Sequence, residues 1–97
     1  MAIRTMSILS KVAQELHTSE EDLLKESLIN LLEHQLREVR ADIFAITGQY
    51  EVNSVTEMKT QYQEGQLAEA DSWRDFQRLD HLEYKCDRLT QLLEAIR

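Results

Sequence analysis

Apolar positions in the first half of the chain recur at steps of four and three. Leu28, Leu32, Leu36, Val39, Ile43, Ile46 and Tyr50 follow one another at intervals of 4, 4, 3, 4, 3 and 4. That is the period of an amphipathic helix and not of a strand. Leu24, Leu31 and Phe44 widen the stripe. Before it, Thr18 with Glu21, or Ser19 with Asp22, has the form of a capping box. Glu20, Glu21 and Asp22 put three acids on the first turn, where the helix dipole favours them. Gly48 is the natural stop. The pattern predicts a helix over about residues 20–47, on the order of 42 Å long.

A second long stripe runs through Trp73, Phe76, Leu79, Leu82, Cys86, Leu89, Leu93 and Ile96, with Leu92 beside it. Ser72 with Asp75 reads as its cap, so a helix of about 36 Å is expected over residues 73–96. Two shorter helices complete the set. Residues 7–17, SILSKVAQELH, space Ile8, Leu9, Val12, Ala13 and Leu16 on one side, with Ser7 able to cap. Residues 55–64 turn Val55, Met58 and Tyr62 inward between the Ser54/Glu57 capping box and Gly65. No run of alternating β-branched residues predicts a strand.

These elements describe one all-α domain over residues 1–97: two long helices folded back antiparallel, and two short ones. Two wide apolar stripes need more cover than two short helices supply. A homodimer that completes a helical bundle is the expected solution, with Leu36, Val39 and Ile43 at its centre. The seam residues on this reading are Leu28, Leu32, Leu36, Val39, Ile43, Ile46, Trp73, Phe76, Leu79, Leu82, Cys86, Leu89 and Leu93.

Composition narrows the picture. Of 97 residues, 42% are hydrophobic and 30% charged, with two glycines and no proline, which suits a helical globule. The single cysteine fits a reducing cytoplasm, where we expect the protein. No apolar run reaches the length of a membrane span. The net charge of −7 disfavours direct nucleic-acid binding and favours a basic protein partner.

Candidate chemistry is thin. No acid stands three residues before His17, His34 or His81, so the paired motif of a di-iron bundle is missing, and one cysteine is too few for zinc. Cys86 falls on the apolar stripe and reads as a small buried hydrophobe. Two glycines exclude phosphate-binding loops. No enzyme activity, metal or cofactor is expected. The rings and charges of Glu69–Lys85, EADSWRDFQRLDHLEYK, offer the one surface of interest. Trp73 and Phe76 read as core. Arg74, Arg78, Asp80, His81 and Tyr84 lie off the stripe and are the candidate partner-binding residues. Arg74, Arg78, Lys85 and Arg88 alternate in sequence with Asp75, Asp80, Glu83 and Asp87, which reads as a solvated face of mixed charge.

Residues 6–36, MSILSKVAQELHTSEEDLLKESLINLLEHQL, resemble the helical half of ribbon-helix-helix antitoxins: a short amphipathic helix, a capped turn, acids and a leucine-rich second helix. The whole chain also looks like small helical bacterial and archaeal proteins of antitoxin-like type. The resemblance implies a dimer that neutralises a small toxin through its acidic or C-terminal half. The alternatives are a small DNA-binding transcriptional regulator and a structural helical bundle.

Overall fold

The computed structural model describes residues 2–65 and 70–97, with side chains over 4–65 and 72–97. It contains four helices in chain order: α1 (Ala2–Glu15), α2 (Glu20–Tyr50), α3 (Val55–Gln63) and α4 (Ala70–Ile96). No described residue lies in a strand. Residues 2–6 are helical and belong to α1.

Local chemistry explains most of the boundaries. The Ser19 hydroxyl accepts the Asp22 N–H at 3.0 Å and starts α2, and the Ser54 hydroxyl accepts the Glu57 N–H at 3.1 Å and starts α3. Glu57 reaches back to accept the Asn53 N–H at 3.1 Å. Each bond satisfies a donor that a helix start leaves without an intrahelical partner.

Other ends differ from the pattern-based expectation. α1 starts at Ala2, because Ile3, Arg4, Thr5 and Met6 contain no breaker, and Ser7 lies inside it. It stops at Glu15, where His17 takes a left-handed φ of 55° and the Thr18 N–H bonds back to the Ala13 carbonyl at 3.0 Å. α2 ends the same way. It passes through Gly48 and turns at Glu51, φ 54°, with the Val52 N–H donating to the Thr47 carbonyl at 2.9 Å. Val52 then tucks into the core, the hydrophobic contact that completes such a turn. Ser72 lies within α4, buried, and not at its cap.

α2 and α4 form the antiparallel pair that positions everything else. Contacts between Glu33 and Arg97, Asp42 and Arg78, and Tyr50 and Asp75 run in opposite order along the two helices. Leu36, Val39 and Ile46 of α2 meet Leu79, Leu82, Leu89 and Leu93 of α4, with Met58 of α3 and Val52 closing one end. Ile29, Leu32, Ile43, Phe76 and Cys86 pack partly buried against this cluster. The residues expected at the centre of a dimer, Leu36, Val39 and Ile43, therefore pack inside a single chain. Two acids fasten the far end: Asp75 accepts the Tyr50 hydroxyl at 2.5 Å, and Glu83 accepts the Val55 N–H at 3.4 Å.

Two seam positions depart from the expected line. Trp73 is 44% exposed. Its steps of three to Phe76, Leu79 and Leu82 each fall about 60° short of a full turn, so it lies about 180° round α4 from Leu82. Leu28 is 47% exposed, because α4 ends at the level of Glu33 and does not reach it. The result is long and thin. The molecule extends 60 × 26 × 17 Å, and its radius of gyration is 19.5 Å, against about 12.5 Å for a compact chain of this length.

Candidate interaction surface

The chemistry of this molecule lies on helix faces. Grooves between helices are open and of mixed lining. One of about 350 Å³ runs between α2 and α4 past Glu33, Arg37, Arg40, Glu94 and Arg97. Another, of about 360 Å³, lies beside the ring cluster of Tyr62, Trp73 and Phe76. Tyr62 meets Trp73 tilted at 44° and Trp73 stacks on Phe76, each pair with centroids 5.4 Å apart, and Trp73 remains 44% exposed. Among the described residues no group of three His, Cys, Asp or Glu side chains is placed to hold a metal ion. No helix among them is long and apolar enough to cross a membrane.

The five candidate partner-binding residues, Arg74, Arg78, Asp80, His81 and Tyr84, are all exposed on α4. They do not form one cluster. Tyr84 is 64% exposed, and Asp80 stands one turn before it on the same line, which continues back through Gln77 to Trp73. Arg74, Arg78 and His81 lie on a different line. Arg78 also reaches Asp42 of α2 at 3.9 Å in an exposed ion pair, a geometry that contributes little to stability.

The charges of α4 sort in a way the linear order hides. Arg74, Arg78, His81, Lys85 and Arg88 follow at steps of 4, 3, 4 and 3, all exposed, and so form one row. Asp75 and Glu83, which alternate with them in sequence, are partly buried and spent on Tyr50 and Val55. Asp80 and Asp87 face another side. The face that looked mixed carries cations along its length. The step pattern of the basic residues, read by itself, is the signal that would have found it.

Apolar side chains are also exposed in unusual number at the other end. Met6, Ile8 and Val12 on α1, Leu16 just after it, and Leu24, Leu28 and Leu31 on α2 all meet solvent, as do Phe44 at 78% and Leu92. α1 packs on α2 through Leu9, Ala13 and Leu23 and leaves the rest of its stripe open.

Among the described residues, four helices with a thin core and chemically distinct outer faces make a small all-helical protein. The chain belongs to the uncharacterized protein MJ0235 family, whose model matches residues 1–97. No curated protein and no solved structure matches it.

Proposed function

We propose that this chain is a non-enzymatic interaction module, an antitoxin-like partner that holds a small basic protein. The observation that carries the reading is the exposed line Trp73–Gln77–Asp80–Tyr84 on α4. An aromatic ring at 64% exposure with a carboxylate one turn away is well made for an arginine or lysine, which the ring face and the acid attract together. The acidic chain adds long-range attraction for a basic partner. The test is calorimetric titration with the small basic product of a neighbouring reading frame. An Asp80→Arg, Tyr84→Ala double variant should bind at least about tenfold more weakly with an unchanged helix signal. Equal affinity of variant and parent would end this reading.

One observation favours a second reading, a DNA-binding regulator. The row from Arg74 to Arg88 spans about 21 Å of helix and could follow a phosphate backbone. Fluorescence anisotropy with duplex DNA from upstream of the gene, repeated across salt concentrations, separates the two. Binding that falls steeply with salt and is lost in Arg74→Glu, Lys85→Glu selects DNA.

A further inference from the structure

We infer that a second copy of this chain packs, about a two-fold axis, on the face of α2 and α4 that carries the Asp42–Arg78 pair, centred at the level of Leu31. This inference does not depend on the nature of any other partner. It begins with a mismatch of lengths. α4 ends at Ile96, and Arg97 just after it holds Glu33, so residues 20–32 of α2 run on for about 20 Å beyond it. The apolar stripe runs on too. Leu24, Leu28 and Leu31 are 45%, 47% and 52% exposed, and Leu92 on the last turns of α4 is 47% exposed beside the half-buried Ile96.

Helix geometry puts these residues on one side of the pair. Asp42 and Arg78 touch, so they mark a side. Leu31 is three turns before Asp42 and Leu28 four, and Ile96 is five turns after Arg78 and Leu92 four, each within about 40°. α3 is fastened elsewhere, through Glu83, which lies about 140° round α4 from Arg78. Among the described residues, the leucines of the marked face stay 45–52% exposed.

Three features select a second copy as its cover. The first is charge. Glu20 and Glu21 stand at one end of the leucines, and Arg88 and Lys85, one and two turns before Leu92, stand at the other. A two-fold axis through the leucines brings each acidic end onto the partner's cations, twice, as an isologous contact requires. The second is area. The exposed leucines and Ile96 offer roughly 400 Å² of apolar surface per copy, about half of the ~800 Å² that each partner gives to a stable interface, and the flanking charges stand where a polar rim belongs. The third is form. Stacking two helix pairs face to face makes a four-helix layer of the kind that encloses a core, which one 17 Å thick molecule cannot do.

The test is mass by light scattering at tens of micromolar. The parent chain should scatter as a dimer. Leu28→Asp should raise the dissociation constant about 100-fold or more, while the helix signal at 222 nm stays the same, because Leu28 is outside the single-chain core. Glu20→Lys with Glu21→Lys, and separately Lys85→Glu with Arg88→Glu, should each weaken the dimer about tenfold, and all four together should restore it. A parent chain with monomer mass overturns the inference and leaves the face to a different protein. A Leu28→Asp chain that stays dimeric overturns the face. Failure of the combined swap to restore affinity overturns the two-fold arrangement.

Discussion

Replacing Gly48 by alanine gives opposite results according to where α2 ends, and this makes it a sharp test of the fold. In the structure Gly48 lies within the helix, three residues before the left-handed turn at Glu51. An added Cβ meets nothing within 4 Å, so the substitution has no steric cost. What remains is propensity: alanine in a helix interior is favoured over glycine by about 1 kcal/mol, through the backbone entropy glycine loses on folding. For a chain of this size 1 kcal/mol is about 4–8 °C in melting midpoint. Had Gly48 been the left-handed stop that its position after a long apolar run suggests, alanine there would cost about 1 kcal/mol instead. The assay is thermal and urea unfolding followed at 222 nm, at one fixed protein concentration because association shifts the midpoint. A rise of several degrees supports the geometry. A fall would falsify the placement of the helix end at Glu51. The companion change, Glu51→Gly, relieves a non-glycine residue at φ 54° and should add about 0.5–1 kcal/mol, with the Val52–Thr47 bond intact.

Two further outcomes check the core and the turn. Leu79 is fully buried where α2, α3 and α4 meet, so Leu79→Ala should cost about 2–5 kcal/mol and visibly lower the urea midpoint; a loss under 1 kcal/mol would mean that this region is not packed as described. Ser54→Ala removes the acceptor for the Glu57 N–H and should cost about 1 kcal/mol, with faster amide exchange in the first turn of α3 than elsewhere in that helix.

Periodicity made the α2–α4 pair legible because burial itself is periodic: Leu36, Val39, Ile46, Leu79, Leu82, Leu89 and Leu93 lie on lines that only a facing helix can cover. The serine starts of α2 and α3 were legible because a hydroxyl acts on an amide three residues away, which is a local matter. The ends of α1 and α2 were not. Both stop at left-handed residues, His17 and Glu51, whose side chains do not announce that conformation, while the glycine that does sits in mid-helix. Trp73 was misplaced because repeated steps of three drift round the helix, and the drift accumulates only when angles are followed through. The row of cations on α4 stayed hidden for a different reason. Two of its four intervening acids, Asp75 and Glu83, are engaged by Tyr50 and the Val55 amide, groups 25 and 28 residues away, and the other two face another side. Leu28 is bare because of where α4 ends, which no single stripe records.

The thinness of the molecule has a practical side. A radius of gyration of 19.5 Å is what a compact chain of about 300 residues would have. On a gel-filtration column calibrated with round proteins, one copy would therefore elute early and pass for an assembly of three. Stacking two copies side by side would thicken the particle with little added length, so its elution would shift less than its mass. Diffusion and elution volume report friction here, and molecular weight has to be read from scattering or sedimentation equilibrium, where shape drops out.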